Sequence, residues 1–152
     1  MATIHTLTRE EVIETDLETA WTFISRPENL NKITPPELDF EIVSDLPETM
    51  FEGLTIQYRI GIPLLGKQSW LTEIKHIRDH HSFIDEQRIG PYRLWYHYHE
   101  ISELTNGVRF VDRVQYVMPF GRFGELARLL YVRRQLKYIF DYRRQAMLRE
   151  LG

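Results

Sequence analysis

The most informative stretch of the chain reads Asp85-Glu86-Gln87-Arg88-Ile89-Gly90-Pro91-Tyr92-Arg93-Leu94-Trp95-Tyr96-His97-Tyr98-His99. The Gly-Pro pair at its centre is a turn signal between two segments that alternate as β-strands do. Because successive strand side chains point to opposite faces, Trp95, His97 and His99 share one face of the second strand. A strand face that carries an indole and two imidazoles favours the wall of a cavity that holds a partly polar molecule.

Either face of this second strand is a plausible interior. If Tyr96 and Tyr98 on the opposite face point inward, the cavity is mostly aromatic. If the histidines face inward, they join Asp85 and Gln87 of the first strand in a polar patch. We favour inward histidines, because the other orientation would turn Glu86 and Arg88 toward the interior.

Composition indicates one domain that spans residues 1–152. The hydrophobic share of 43% and the charged share of 27% are ordinary for a globular protein. No apolar run approaches the ~20 residues that cross a bilayer, and the N-terminus shows no secretory signal pattern. We therefore predict a cytoplasmic protein with no integral membrane segment. The absence of cysteine excludes disulfides, thiolate nucleophiles and cysteine-ligated metals.

Charge is distributed unevenly along the chain. Residues 122–152 contain eight Arg or Lys and three Asp or Glu, a local charge of +5, which leaves −8 of the overall −3 for residues 1–121. Nucleic-acid-binding domains usually carry a basic balance over the whole domain. We predict that the basic segment is the solvated face of a helix and that nucleic acid is not a partner.

The predicted elements begin with a bulged strand at residues 4–14. Asp16 is a typical N-cap for a helix that ends before Pro27, and a second short helix follows at residues 28–33. Six strands with period two come next, at residues 38–42, 55–62, 70–77, 83–89, 93–101 and 108–118. No helix-length pattern interrupts them, and one of their turns is Pro63-Leu64-Leu65-Gly66, so we predict an antiparallel meander.

Residues 122–151 predict one helix throughout, with no glycine or proline after Gly124 and an apolar stripe at three- and four-residue steps. Such a helix is ~45 Å long. Since that is too long to stand alone on a small domain, we expect the helix to lie across the concave face of the sheet.

This order of elements resembles the α+β helix-grip fold of the START-like superfamily (SRPBCC), which includes plant pathogenesis-related ligand carriers and the polyketide cyclase/dehydrase group. The likeness covers nearly the whole chain. Four segments resemble a bacterial subgroup described as ligand-binding or cyclase/dehydrase-like: Ala20-Trp21-Thr22-Phe23, residues 27–35, residues 90–99 and Asp112-Arg113-Val114-Gln115-Tyr116. Because the superfamily hosts carriers, sensors and enzymes on one scaffold, the fold does not name the function.

We predict that a small hydrophobic or aromatic molecule binds in a cavity between the sheet and the helix at residues 122–150. Pockets of this kind are mostly apolar, with a few placed polar groups. The residues that we expect to bind the molecule are Tyr58, Trp70, Asp85, Gln87, Trp95, His97, His99, Phe110, Asp112, Tyr116 and Leu136.

The position of Asp112 bears on both the binding hypothesis and an enzymatic alternative. The apolar residues of the last strand share its face and should turn it inward, where a carboxylate needs a donor. His97 or His99 on the preceding strand is the expected donor, and backbone amides or an arginine are the alternative. A histidine held by Asp112 is also a typical general base, so the second hypothesis is a cyclase or dehydratase with His97, His99 and Asp112 as catalytic residues.

Two further hypotheses concern metal binding and self-association. His97-Tyr98-His99 has a metal-ligand spacing, and Asp112 or Asp85 would be a third ligand for zinc or iron. Neither a second histidine pair nor a Glu-x-x-His motif accompanies it on a helix, so we predict no metal and no cofactor. The remaining alternative is an interaction domain that forms a homodimer through its strands or its long helix. The helix residues expected at that interface are Leu130, Tyr131 and Tyr138.

Overall fold

A computed structural model describes residues 1–62 and 65–152 and contains a curved sheet of seven antiparallel strands. The strands are β1 (His5–Ile13), β2 (Glu41–Ile42), β3 (Thr55–Ile62), β4 (Gly66–Arg78), β5 (Ser82–Ile89), β6 (Leu94–Leu104) and β7 (Gly107–Val117). The helices are α1 (Leu17–Ile24), α2 (Leu30–Ile33), α3 (Gly121–Ala127) and α4 (Arg133–Leu151). This confirms the predicted order of strand, short helices, six strands and C-terminal helix. The predicted turn at Pro63-Leu64-Leu65-Gly66 lies partly outside the described residues.

The strand order is β1-β7-β6-β5-β4-β3-β2, so β2 to β7 follow one another in chain order and β1 lies at the far edge, beside β7. β1 pairs with β7 in a continuous register from His5 to Ile13, and the bulge predicted in this strand is wrong. Two register shifts occur in the pairing of β4 with β5 instead, one between Leu71 and Thr72 and the other between Lys75 and Arg78. His76, at the second shift, has a positive φ of 54°.

The hairpin between β6 and β7 fixes which side chains meet at the centre of the sheet. Its loop is Thr105-Asn106, and Gly107 follows with a φ of 144°. A Cβ at Gly107 would lie 2.3 Å from the carbonyl oxygen of Ile13, so the close approach of β1 requires glycine. The register set by this hairpin places His99 opposite Asp112.

The first helix begins where the sequence predicts it. The Asp16 carboxylate accepts a hydrogen bond from the Thr19 backbone N–H at 2.8 Å and caps α1. Trp21 and Phe23 are buried in the main apolar core. A 3₁₀ turn at Pro27–Asn29 then leads directly into α2.

The strand predicted at residues 38–42 is wrong for most of its length. Pro36–Leu38 forms a 3₁₀ turn that buries Leu38, and Asp39 has a positive φ of 47°. Only Glu41–Ile42 pairs with β3. Proline at the first helical position fixes φ at a helical value, and this local constraint overrides the alternation of apolar residues.

The C-terminal helix has an interruption that the sequence pattern does not predict. Arg128–Val132 forms a π-helix between α3 and α4, so the expectation of one regular helix is wrong over these residues. A π turn inserts one extra residue and rotates later side chains by about 100°. After it, α4 buries Leu136, Phe140 and Met147. Within the described residues, no helix is both long and apolar enough to cross a membrane.

Candidate functional site

A cavity of about 790 Å³ lies between the inner face of the sheet and the helices. The sheet contributes apolar and aromatic side chains such as Ile60 and Trp70, and α4 contributes Leu136 and Ile139. Most of the wall is therefore apolar. Four ionisable side chains of β5, β6 and α4 also reach it: Asp85, His97, His99 and Arg143.

Some of the predicted ligand-contact residues line this cavity and others do not. Those that line it are Tyr58, Trp70, Asp85, Trp95, His97, His99 and Leu136. Four predicted residues lie outside its wall: Gln87, Phe110, Asp112 and Tyr116. The histidines of β6 face inward, as favoured, with exposed fractions of 5% and 6%.

Packing explains why two of these four residues do not reach the cavity. Phe110 is buried in the main apolar core, where Ile13 and Met147 also lie. The ring of Tyr116 lies against three other rings and is covered by them, with centroid distances of 5.4 Å to His5, 5.8 Å to Tyr92 and 6.3 Å to Trp95. Both side chains face inward as the alternation predicts, and neighbouring side chains then separate them from the cavity.

Gln87 has a structural position at the turn between β5 and β6. Its Nε2 donates to the carbonyl oxygen of Tyr92 at 2.6 Å, and its Oε1 accepts from the backbone N–H of Tyr92 at 3.1 Å. The amide thus satisfies both backbone groups of one turn residue. These two hydrogen bonds fix the conformation of the turn, and Tyr92 of that turn lines the cavity.

His97 and His99 form a stacked pair at the centre of the sheet. Their ring centroids lie 3.7 Å apart with an angle of 29° between the planes. The strand register places Asp85 of β5 opposite His97 and Asp112 of β7 opposite His99. The two imidazoles therefore lie between two carboxylates, one on each neighbouring strand.

Each imidazole has a carboxylate oxygen near both of its ring nitrogens. His97 Nε2 lies 2.7 Å from Asp112 Oδ1, and His97 Nδ1 lies 3.4 Å from Asp85 Oδ2. His99 Nε2 contacts Asp85 Oδ2 closely, and His99 Nδ1 lies 3.3 Å from Asp112 Oδ1. The expected hydrogen bond between Asp112 and a histidine of β6 is present, and Asp85 adds a second carboxylate to the arrangement.

The carboxylates remain ionised in this buried setting. Burial alone would raise the pKa of Asp112, but the Arg143 charge and the hydrogen bonds from His97 and His99 hold that pKa well below its usual range. Burial likewise opposes ionisation of Asp85, while the charge of His97 and the hydrogen bond from His99 lower its pKa.

The two imidazoles differ in their affinity for a proton. Burial and the neighbouring charge of His99 lower the pKa of His97. Burial also acts against protonation of His99, but its hydrogen bonds to Asp112 and Asp85 outweigh it and raise the pKa.

Arg143 is the site residue that the sequence interpretation missed. The basic pattern of the helix predicts a place on its solvated face, yet the Arg143 side chain is 12% exposed and its Nη2 lies 3.3 Å from Asp112 Oδ1. Arg143 and Asp112 also border a second cavity of about 180 Å³ beside β1, together with Arg9 and Glu11. The helical period alone does not show that this arginine turns toward a carboxylate.

Apolar side chains surround the cavity where it approaches the surface. Leu65, Phe120, Phe123 and Leu130 line the cavity and are each more than half exposed. We call these four residues the mouth. The sequence interpretation used Pro119-Phe120-Gly121 only as a strand end, although two exposed phenylalanines three residues apart are an unusual surface feature.

No protein-family model and no curated protein match this sequence. Solved structures do match over nearly the full chain. A START superfamily protein from Mycobacterium smegmatis is 12% identical with a TM-score of 0.67 and covers 97% of each chain. The chain has the START-like helix-grip fold.

Other solved structures of similar size resemble the chain to a comparable degree. Protein CV1439 from Chromobacterium violaceum is 13% identical, with a TM-score of 0.71 and 97% of each chain covered. Protein TTHA0849 from Thermus thermophilus is 18% identical, with a TM-score of 0.68 and 96% of each chain covered. At these identities the likeness establishes the helix-grip fold, and the function has to be argued from the site.

Proposed function

We propose that this protein binds a small hydrophobic or aromatic molecule in the cavity between the sheet and the C-terminal helix. The observation that carries the proposal is the cavity of about 790 Å³ with its mostly apolar wall. Ligand pockets typically enclose about 300–1,000 Å³ and combine apolar walls with a few polar groups. The cavity has both properties.

The arrangement of the wall supports a molecule with an apolar body and one polar end. The exposed apolar mouth includes Phe123, and the ionisable end includes Arg143. Roughly twenty helical residues at ~1.5 Å each separate these two positions by roughly 30 Å along the helix. A molecule that enters at the mouth would therefore place its polar group against Asp85, His97, His99 and Arg143.

The test first looks for a bound molecule and then measures binding by a variant with a filled cavity. Native mass spectrometry of the purified protein should reveal a bound small molecule, and the apolar dye anilinonaphthalenesulfonate (ANS) should bind with enhanced fluorescence. Ile60→Trp places an indole in the cavity, because Ile60 lines it from β3, and should reduce ANS binding severalfold. Leu104→Trp adds the same indole at an exposed strand end and is the matched control.

Three results would count against ligand binding. The first is that no molecule co-purifies and ANS does not bind. The second is that Ile60→Trp binds ANS as well as the parent protein does, and the third is that Leu104→Trp loses as much ANS binding as Ile60→Trp. A melting temperature that rises with an added compound would identify the chemical class, since a ligand of the native state alone stabilises it.

A second candidate function is acid–base catalysis of the cyclase or dehydratase kind. The hydrogen bond of 2.7 Å between His97 and Asp112 favours it, because a carboxylate that holds an imidazole fixes its tautomer and stabilises the imidazolium. Asp112 lies behind the imidazoles, so the carboxylate that faces a bound molecule is Asp85. The predicted catalytic set of His97, His99 and Asp112 therefore gains Asp85 as a contact residue.

Turnover of the co-purified compound separates the two candidates. Catalysis predicts that the compound is converted and that His97→Ala and Asp112→Asn both abolish conversion while ANS still binds. A compound that is bound and released unchanged supports a carrier or sensor.

A further inference from the structure

We propose that Asp85, His97 and His99 form a site for a divalent transition-metal ion such as Zn²⁺ or Fe²⁺. One ligand atom from each of these residues lies within 4.8 Å of the other two. Two imidazoles and one carboxylate are a ligand set that both ions use in proteins. This differs from the sequence prediction of no metal, which rested on the lack of a second histidine pair or a Glu-x-x-His motif. The strand register places Asp85 opposite His97, so one of the two carboxylates considered as a third ligand lies beside the histidines.

The distances between the ligand atoms of Asp85, His97 and His99 fit a metal ion once the Asp85 carboxylate has moved slightly. Ligand atoms at about 2.0–2.2 Å from a tetrahedral ion lie roughly 3.3 Å from one another. His97 Nδ1 and Asp85 Oδ2 are 3.4 Å apart, close to that value. Asp85 Oδ2 contacts His99 Nε2 more closely, so the carboxylate must turn outward to admit the ion. Asp85 borders the cavity and has room to do so.

Asp112 contacts the two imidazoles through the ring nitrogens that do not face the proposed ion. His97 Nε2 lies 2.7 Å and His99 Nδ1 lies 3.3 Å from the same oxygen of Asp112. His99 Nδ1 also lies 3.4 Å from Arg143 Nη2, which can only donate, so this contact must give way if His99 Nδ1 carries the proton. When each imidazole donates its N–H to Asp112, its other nitrogen has a lone pair for the ion. Metal-bound histidines almost always donate their second N–H to a carboxylate, carbonyl or water in this way. Arg143 in turn holds Asp112 at 3.3 Å.

The charge of the cluster also favours a cation. Coordination requires both imidazoles to be neutral, and the two carboxylates and the Arg143 guanidinium then leave one negative charge in a largely buried group. A divalent ion changes this to one positive charge and keeps a coordination position toward the cavity, which Asp85, His97 and His99 all line. Resting here on the proposed function, we infer that the bound molecule supplies an anionic oxygen, such as a carboxylate or enolate.

The experiment uses the full-length protein, treated with EDTA and titrated with Co²⁺, Zn²⁺ and anaerobic Fe²⁺. We expect one ion per chain, a visible Co²⁺ spectrum of a nitrogen–oxygen site, and shifts of the His97 and His99 imidazole NMR signals. Asp85→Asn and His97→Gln should abolish stoichiometric binding, and Asp112→Asn should weaken it by about 10–100-fold.

His80→Gln is the control, since His80 lies on the surface beside Glu18 and Asp79, and it should bind like the parent protein. The proposal is overturned if the parent protein binds none of the three ions stoichiometrically. Binding that survives both Asp85→Asn and His97→Gln, or that is lost in His80→Gln, also overturns it. The parent protein's titration and NMR shifts decide the matter even if a variant fails to fold. ANS binding by the EDTA-treated protein tests the cavity separately, so a failed metal site and a failed ligand site give different results.

Discussion

Arg143 of α4 and Asp112 of β7 form an ion pair at the contact between the C-terminal helix and the sheet. Their atoms Nη2 and Oδ1 are 3.3 Å apart, and the side chains are 12% and 7% exposed. The same carboxylate oxygen accepts from His97 at 2.7 Å. The pair therefore connects the position of the helix to the orientation of the imidazoles.

Arg143→Met is expected to destabilise the protein by about 3 kcal/mol, because it leaves a buried carboxylate without its cation. Urea unfolding midpoints of the variant and the parent protein measure the loss. Arg134→Met is the matched control: Arg134 is an exposed residue of the same helix, and its removal should change stability by no more than about 0.5 kcal/mol. Equal losses in the two variants would show that the ion pair contributes no special stability.

We expect substitutions at Gln87 and Gly90 to have non-additive effects on the free energy of unfolding. A Cβ at Gly90 would lie 2.5 Å from Gln87 Oε1, so Gly90→Ala displaces the amide from Tyr92. We expect a cost of about 1–2 kcal/mol, the size of two ordinary hydrogen bonds. Gln87→Ala should cost a similar amount. Adding Gly90→Ala to Gln87→Ala should then cost nothing further, because no amide remains to displace. Simple addition of the two losses, measured by urea unfolding, would contradict this interpretation of the turn.

The sequence predicts the fold well and the site only in part, for reasons visible in particular residues. Alternation along β6 places His97 and His99 on one face, and the apolar positions of β7 place Asp112 on the inner face of the sheet. Strand periodicity does not show how deep a side chain lies under its neighbours, which is why Asp112 and Tyr116 were assigned to the cavity wall. Helical periodicity likewise assigns Arg143 to a polar face. Its turn toward Asp112 depends on how α4 packs against the sheet.

His80 predicts a pH-dependent contribution to stability. Its imidazole lies 2.7 Å from a Glu18 oxygen of α1 and 2.9 Å from Asp79. The hydrogen bond to Glu18, followed by that to Asp79, raises the pKa of His80 above 6.5. A raised pKa in the folded state stabilises the protein below the unfolded-state pKa, and this contribution disappears as the pH rises through the folded-state value.

The measurement is the melting temperature of the parent protein and of His80→Gln between about pH 5 and about pH 8, the range in which histidine titrates. The parent protein should be the more stable of the two at the acidic end, and the difference should shrink toward the alkaline end. A difference that stays constant with pH would show that the protonated imidazole is not what joins α1 to the β4–β5 loop.

Phe123 allows the role of the mouth to be tested separately from folding. Its side chain is 83% exposed and lines the cavity, so Phe123→Ala removes little buried surface and should change stability by no more than about 0.5 kcal/mol. If apolar molecules enter past this ring, the same change should slow ANS association severalfold in stopped-flow fluorescence. Leu104→Ala removes an exposed apolar side chain at the far end of β6 and should leave the association rate unchanged. An equal rate for Phe123→Ala and the parent protein would place the entry route elsewhere, and a large loss of stability would show that Phe123 packs against its neighbours rather than lying open to solvent.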